Sequence, residues 1–261
     1  MRRYWKVYRT FFASSLSREL EFKANFIAKL AQNAMWIGFF LMILFVVYSR
    51  TASVAGWSRG MAFVLAATVF LMNAAFNALF FSLQEIPTQI RMGTMDFVVT
   101  KPIDSQFWVS MRRFNFDQIG TIIAGIAMLV AGIITSGVTP SVTQWLAYLL
   151  LLPAAIAIFY AFNLALMTSA IWLIRVDNLW VLGESVIGVV RYPIDIYGPG
   201  LRQILTFVVP LAFLATVPAQ QLVRGFSPVN LVIGIGWAVL AVLASRAFWR
   251  FALRSYTSAS S

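Results

Sequence analysis

Long apolar stretches separated by short polar intervals are the dominant pattern of this sequence. Five of them are continuous enough to cross a membrane: residues 27–48, 60–81, 116–138, 145–172 and 229–248. A hydrophobic stretch of about 18 residues or more with few charges is typical of a transmembrane helix. The pattern therefore predicts an all-α integral membrane protein, with the long fourth stretch tilted in the membrane or bent near Pro153.

The chain between the fourth and the last of these stretches is harder to place. Residues 179–197 are half apolar but carry three charges: Glu184, Arg191 and Asp195. Residues 201–222 are apolar but contain two prolines, Pro210 and Pro218. Two topologies are therefore open.

In the first topology, residues 179–197 lie on the cytoplasmic side and the proline-containing stretch crosses the membrane. In the second, residues 177–195 cross the membrane, and residues 206–222 enter and leave it on the same side as a re-entrant hairpin. Non-helical backbone of this kind is tolerated at membrane depth only where it packs against protein. Both topologies give six spans with both termini on one side.

One long polar interval, residues 82–114, separates the second and third apolar stretches. Pro87 suits the first turn of a short helix, because a missing N–H costs little there. Gly93 can end that helix in the left-handed conformation. Thr94 can cap a second short piece, and Pro102 ends it. The interval is therefore predicted to fold as a short helix, a break and a second short piece that docks against a cytoplasmic partner.

The N-terminal segment, residues 1–26, is basic and aromatic. Its apolar residues recur at spacings of three and four, as one stripe of a helix: Trp5, Tyr8, Phe12, Leu16 and Leu20. This periodicity predicts an amphipathic helix that lies in the membrane interface, with its cations among the headgroups. Trp57, in the short loop after the first span, is predicted to be an interfacial anchor.

Composition and charge strengthen the membrane assignment. Of the 261 residues, 61% are hydrophobic and 11% are charged, whereas soluble domains carry roughly 25% charged residues. The net charge of +11 indicates anionic lipid headgroups rather than nucleic acid as the partner of the basic residues. In the second topology, 15 of the 20 Lys and Arg residues lie on the side of the termini and the central interval. Both termini and that interval are therefore predicted to be cytoplasmic, in a multi-pass protein of the cell membrane.

The chemistry of the side chains argues against an enzyme. The sequence contains no Cys and no His, which removes thiolate chemistry, imidazole metal ligands and the usual general base. It also lacks the G-x-x-x-x-G-K-[ST] phosphate-binding motif. We therefore expect no metal and no cofactor in this chain, and any ATP and Mg²⁺ must be bound by a partner.

Four polar residues within or beside apolar stretches are candidates for intramembrane roles. Asn73 and Asn77 are four residues apart and share one helix face, where they can hydrogen-bond between helices or contact a substrate. Glu184 and Arg191 are seven apart and also share a face. An ionisable residue at membrane depth is a candidate functional site, although a structural role at the membrane boundary is the alternative.

Two passages resemble the permease subunits of ABC-2 type ABC transporters, especially a branch of small permeases often paired with a related permease and a separate ATPase. One is the interval IPTQIRMGTMDFVVTKPIDSQF, and the other is RYPIDIYGPGLRQILTFVVPLAFLATVPAQQLVRG. In the first, an Ile is followed by Arg91, Gly93, Asp96, two Val and Lys101-Pro102. In the second, the pattern runs from Tyr192 through Arg202 to the two prolines.

The resemblance implies six spans and a single transmembrane domain over residues 1–261. It implies that residues 82–115 form a coupling helix for the ATPase, with 84–92 as the coupling piece and 93–102 as its brace. The coupling residues are then Glu85, Ile90, Arg91, Met92, Gly93, Asp96, Lys101 and Pro102. It further implies that residues 201–224 form an extracytoplasmic re-entrant hairpin, marked by Tyr192, Pro193, Arg202, and breaks at Pro210 and Pro218.

The function that the resemblance implies is ATP-driven export of an amphipathic or lipid-linked molecule from the cytoplasm or inner leaflet. The partners are two ABC ATPase subunits, membrane lipids, and a second permease that is an identical or a related chain. Two other functions remain open from the residues alone: an ATP-independent secondary transporter or channel, and a membrane scaffold.

Overall fold

The computed structural model describes residues 2–21, 23–173 and 179–256, which are almost entirely helical. The N-terminal half contains α1 (Arg2–Glu21), α2 (Lys23–Arg50), α3 (Arg59–Phe80), α4 (Ile86–Arg91), α5 (Asp96–Val99), α6 (Ser105–Met111) and α7 (Gln118–Ser136). The C-terminal half contains α8 (Val142–Thr168), α9 (Leu179–Val190), α10 (Pro199–Gln203), α11 (Thr216–Val223) and α12 (Pro228–Ser255).

Shorter elements join these helices. A two-residue antiparallel hairpin, Ser53–Val54 with Trp57–Ser58, connects α2 to α3 and holds the only strands in the described part of the chain. Tight helical turns lie at Phe81–Glu85, Ser169–Ile171, Ile194–Ile196 and Leu211–Leu214, and a wide turn at Ile204–Val208. The predicted all-α membrane fold is therefore confirmed in its class.

Five helices are long and apolar enough to cross a membrane by length and composition: Phe26–Arg50, Arg59–Arg91, Gln118–Ser136, Val142–Ile171 and Pro228–Ser255. They correspond to the five apolar stretches of the sequence. The fourth of these, which is α8, is continuous through Pro153.

The topology that the family resemblance favours has a further span at residues 177–195, but the described structure is α-helical there only over the 12 residues of α9. At 1.5 Å per residue, a helix of this length covers about 18 Å, against a hydrocarbon core of about 30 Å. The first residues of the predicted span lie outside the described ranges. The described residues therefore contain five long spans and one short apolar helix.

Helix α3 lies at the centre of the bundle, and glycines allow its neighbour α7 to approach it closely. An added Cβ at Gly60 would lie 2.3 Å from the backbone nitrogen of Ser136, and one at Gly132 would lie 2.8 Å from the backbone nitrogen of Val64. These distances leave no room for a side chain. Gly132, in the third apolar stretch, thus packs against the backbone of α3, and such close approach is typical of helix pairs in membranes.

Helix α8 packs along α12. Short elements close one end of the bundle. The Leu211–Leu214 turn and α11 lie against α8 and α3. The Gln144 side chain, in the first turn of α8, donates to the carbonyl oxygen of Gln221 at 2.9 Å. This end also holds the starts of α3 and α12, whereas residues 82–114 lie at the opposite end.

Candidate functional site

The central interval folds into three short helices rather than two. Pro87 lies in the first turn of α4, and Gly93 has a φ of +68°, so both predictions are confirmed. The predicted Thr94 cap is wrong, because α5 begins after Met95 and the Thr94 hydroxyl instead approaches the Gln89 carbonyl oxygen at 3.5 Å. The helix also ends at Val99, before Pro102 is reached.

The third short helix, α6, has a cap that the sequence analysis missed. Asp104 Oδ1 accepts a hydrogen bond from the Phe107 backbone N–H at 2.9 Å. An aspartate three residues before the donor is a common helix N-cap. The sequence did contain the signal for this cap, which is an aspartate three residues before Phe107 at the start of a short apolar stretch.

Glu85, near the start of the interval, is partly buried and links it by ion pairs to two arginines near its end. Its carboxylate forms ion pairs with both Arg112 and Arg113. Burial and the neighbouring positive charge of Arg113 lower the pKa of Arg112. Glu85, a predicted coupling residue, therefore holds the start and the end of the interval in register.

The outer surface of the interval is apolar and lies on both α4 and α5. Met92 is 71% exposed and Phe97 is 70% exposed, and Val99 is also exposed. Ile90, predicted to be an apolar knob, is instead half-buried against the core. The sequence analysis missed Phe97, because a Phe-Val-Val run does not reveal that only its central Val98 is buried. We call Met92, Phe97 and Val99 the apolar face of the interval.

The remaining predicted coupling residues lie around this face. Arg91 and Pro102 are exposed. The Lys101 ammonium lies 4.0 Å from the ring centroid of Trp108. Asp96 is half-buried, and burial together with this carboxylate raises the pKa of the Tyr256 hydroxyl.

The interval is bound firmly to the end of α12. The Arg246 guanidinium donates to both Asp104 carboxylate oxygens and, at 2.8 Å, to the side-chain oxygen of Gln106. The Trp249 indole N–H donates to the Ser105 hydroxyl at 3.1 Å. Burial by itself would raise the pKa of Asp104, but the bonds from Arg246 and Phe107 outweigh it and hold that pKa below its ordinary value.

Contacts to α8 complete the attachment on that side. The Tyr160 hydroxyl accepts from the Gln106 amide at 2.9 Å and lies 2.8 Å from the Ser110 hydroxyl. The interval thereby gains a buried polar link to the bundle. A shift of either α8 or α12 would move the interval with it.

The N-terminal helix also docks on the interval, which the sequence did not predict. Ring contacts join Tyr4 to Phe107 at 5.1 Å and Phe11 to Trp108 at 4.9 Å. The Ser15 hydroxyl accepts from the Phe114 backbone N–H. Of the predicted apolar stripe, Trp5, Phe12 and Leu16 are exposed, Tyr8 is half-buried, and the Leu20 side chain lies outside the described residues.

At the opposite end, Asp195 joins three segments of the chain. Its carboxylate forms ion pairs with Arg202 at 2.8 Å and Arg224 at 3.1 Å. It also accepts from the Trp57 indole N–H at 2.8 Å. Trp57 is fully buried, so its prediction as an interfacial anchor is wrong. The contact between Asp195 and Arg224 shows that residues 195–224 begin and end at the same end of the bundle.

The turns within this segment differ from the prediction at one of the two prolines. The chain changes direction at Pro210, after the wide turn ends. Pro218, however, lies inside the first turn of α11, where a proline is tolerated, and the second break is at Ala215, with φ −148° and ψ −45°. Tyr192 is exposed and Pro193 is buried beside this segment.

All four intramembrane polar candidates line one cavity of about 670 Å³ between α2, α3, α7 and α9. The Asn77 amide donates to the Asn73 side-chain oxygen at 2.9 Å. These two side chains therefore hydrogen-bond within α3. Glu184 and Arg191 face the same cavity. The topology thus brings together residues that lie more than 100 positions apart in the sequence.

A family model described as ABC-2 family transporter protein matches residues 34–260. The chain belongs to the ABC-2 transporter family. The predicted resemblance is confirmed over most of the chain, and the protein is a multi-pass membrane protein of this family. No curated protein matches the sequence. Permeases of the ABC-2 family generally work with ABC ATPase partners.

This ABC-2 protein offers two arrangements for function. One is the apolar face, which stands on an interval attached to α1, α8 and α12. The other is the polar cavity among four helices. Within residues 2–21, 23–173 and 179–256, no three acidic side chains come close enough together to hold a metal ion.

Proposed function

We propose that this chain is the permease subunit of an ATP-driven ABC exporter, in which residues 82–115 couple an ATPase to the membrane helices. The observation that carries the proposal is the apolar face of the interval, in a member of the ABC-2 family. Large apolar side chains that are grouped on a surface outside the membrane are typical of protein docking sites. Met92 and Phe97 supply such side chains at one end of the bundle.

The attachment of the interval supports its role in coupling. Asp104 and Gln106 connect it to α12, and Tyr160 connects it to α8. A partner that moves the interval would therefore pull on two long helices at once. Coupling by rigid-body shifts of packed helices is one of the common modes of allosteric change.

In this proposal the energy comes from outside the chain. ATP and Mg²⁺ bind to a separate nucleotide-binding subunit, because the 261 residues contain no phosphate-binding motif. The assembly contains two ATPases and two permeases, the second permease being an identical or a related chain. The permease itself is not an enzyme.

The topology in this proposal has six spans, with α9 as the core of the fifth, and both termini in the cytoplasm. Residues 201–224 form a re-entrant hairpin on the extracytoplasmic side. The ion pair between Asp195 and Arg224 supports this topology, because it requires both ends of the hairpin to lie on one side. The substrate is an amphipathic or lipid-linked molecule that moves outward.

Substitutions on the apolar face test the coupling. We expect Met92→Glu and Phe97→Glu to lower the amount of co-purifying ATPase, and the ATP hydrolysis stimulated by the permease, by about tenfold or more, because a buried interface anchor is typically worth 2 kcal/mol or more. The measurement is co-purification from membranes that express both subunits, followed by an ATPase assay.

Phe226→Glu is the matched control, since Phe226 is an exposed phenylalanine at the opposite end of the bundle. It should leave the association unchanged. If both face variants retain the ATPase at the unsubstituted level, the coupling role is excluded. Substrate flux that continues in liposomes without any ATPase would instead support a secondary transporter.

A further inference from the structure

The cavity among α2, α3, α7 and α9 is polar at a depth where the surrounding helices are apolar. Its volume is about 670 Å³, which suits a small molecule or a lipid headgroup. Five amide side chains and one threonine line it: Gln32, Asn33, Asn73, Asn77, Gln118 and Thr121. Amides and hydroxyls supply both donors and acceptors, so the wall can bind a head that carries several polar groups.

Two opposite charges face this cavity at a distance from each other, and the charge of Arg191 acts on the Glu184 carboxylate without a direct ion pair. Glu184 and Arg191 lie seven residues apart on α9 and just beyond its end, which is about 10 Å along a helix axis. Among residues 2–21, 23–173 and 179–256, no ion pair involves either side chain. Charges within apolar helices are costly and are kept mainly where they pair or line a pathway. A ligand that carries both charges would satisfy both residues.

Aromatic rings contact Arg191 and line other parts of the cavity. The Arg191 guanidinium carbon lies 5.2 Å from the Phe40 ring centroid and 5.9 Å from that of Trp36. These contacts direct the cation between α9 and α2. At the other end of the cavity, Trp180 stacks on Phe76 with the ring centroids 6.2 Å apart. Arg191 is thus positioned by aromatic rings, and Trp180 lies in the same cavity wall as Glu184.

The cavity opens toward the outer surface of α2 and α9. Trp36, which lines it, is 55% exposed, and Val181 and Leu182 are exposed on the flank of α9. These side chains form an apolar surface beside a polar cavity. An occupant can therefore place its polar head inside and its hydrocarbon chain along the helices.

We propose that this cavity binds the head of a zwitterionic amphiphile, with the anionic group on Arg191, the cationic amine on Glu184, and neutral polar groups on Asn73 and Asn77. The proposal rests on the proposed export function and names the class of substrate for it. Within the described part of the chain neither charge forms an ion pair, and two charges of opposite sign in one amide-lined cavity are complementary to a head that carries both signs. An anionic head would offer an opposite charge to Arg191 alone, and a neutral head would offer one to neither side chain.

The test is competitive lipid binding to the purified permease in a non-ionic detergent, measured by native mass spectrometry. The probes are phosphatidylethanolamine, phosphatidylglycerol and a neutral diacylglycerol glycoside with the same acyl chains. We expect the zwitterionic lipid to form the dominant 1:1 adduct. Glu184→Gln should weaken that adduct about tenfold and leave phosphatidylglycerol binding unchanged, since it removes the negative charge that pairs with the amine.

Arg191→Gln should weaken both phosphate-containing lipids, while Arg191→Lys should restore part of the binding because it keeps the charge. Val239→Gln, on the exposed surface of α12 and away from the cavity, should change nothing. Equal adducts of phosphatidylethanolamine and phosphatidylglycerol, or an unchanged zwitterionic adduct in Glu184→Gln, would overturn the proposal. The assay needs no ATPase, so its failure would reject the ligand class and leave the coupling test of Met92 and Phe97 unaffected.

Discussion

Asp104 shows how much of the central interval depends on a single carboxylate. It caps α6, pairs with Arg246 on α12, and donates its backbone N–H to the Tyr4 hydroxyl on α1 at 3.3 Å. The sequence marks this aspartate only as one of seven charges in a polar loop. Its role follows from the three elements that meet around it.

The depressed pKa of Asp104 predicts how the protein responds to acid. Because the folded pKa lies below the unfolded value of about 3.9, the ionised carboxylate contributes stability above about pH 4, and this contribution is lost as the pH falls through the folded pKa. Asp104→Asn keeps a good N-cap but loses the charge. We expect it to cost about 1 kcal/mol at pH 7, since the pair is partly exposed.

The measurement is the melting temperature of the purified protein in detergent between pH 3 and pH 7. The difference between the unsubstituted protein and Asp104→Asn should shrink below about pH 4. Glu21→Gln removes an exposed carboxylate. Its melting temperature should equal that of the unsubstituted protein at every pH. A constant difference across the range would show that the charge of Asp104 does not stabilise the fold.

At the scale of the element, the contact between α3 and α7 depends on glycine. Gly60 faces the backbone of Ser136, and Gly132 faces that of Val64, so two successive turns at one end of this helix pair are too close for a β-carbon. Helix association in membranes depends on such close approach, because lipid is as apolar as the side chains and supplies no hydrophobic drive.

Gly60→Ala is therefore expected to destabilise the protein by about 1–3 kcal/mol, which is the usual cost of overpacking a well-packed site. The control is Gly236→Ala on α12, where an added Cβ meets no atom within 4 Å. That variant should be neutral or slightly stabilised, because alanine has the higher helix propensity. Thermal unfolding in detergent compares the two, and equal melting temperatures would contradict the close-contact account.

At the scale of the whole molecule, the bundle has two differently built ends. One end carries α1, the central interval and the end of α12, joined by Asp104, Arg246 and several aromatic contacts. The other end is held by Asp195 with Arg202, Arg224 and Trp57. Because Asp195 pairs with Arg202 and Arg224 and contacts Trp57, this arrangement favours the second of the two topologies, which is the one that we propose.

Cysteine labelling tests this assignment directly, since the sequence has no Cys to remove. We expect Gly200→Cys to react with a membrane-impermeant maleimide added outside intact cells, because Gly200 is exposed at the Asp195 end. Thr100→Cys, exposed on the central interval, should react only after the membrane is permeabilised. If both positions react from the same side, the second topology is wrong.

Much of this protein was predictable from its sequence for a simple reason. Lipid requires long helices with satisfied backbones, so apolar stretches reveal the five spans directly. Pro87 and Gly93 act through their own backbone restrictions, and their local effects are as predicted. The two motifs around residues 86–107 and 191–225 were specific enough to indicate the family.

Other features depended on long-range contacts that no local pattern encodes. A tryptophan near a span end fits an interfacial anchor equally well, and only the approach of Asp195, 138 residues away, places Trp57 in the interior. The exposure of Phe97 rather than Ile90 likewise follows from how α4 and α5 lie against the bundle.

The sequence by itself determined that this chain lies in a membrane, where its long helices run, and which residues are polar among apolar neighbours. Those properties follow from side-chain chemistry and helix periodicity, which act over a few residues. The tertiary structure alone decided that Asn73, Asn77, Glu184 and Arg191 share one cavity and that Asp104 and Asp195 hold opposite ends of the bundle. Such groupings depend on which helices pack together, and packing is a property of the whole chain.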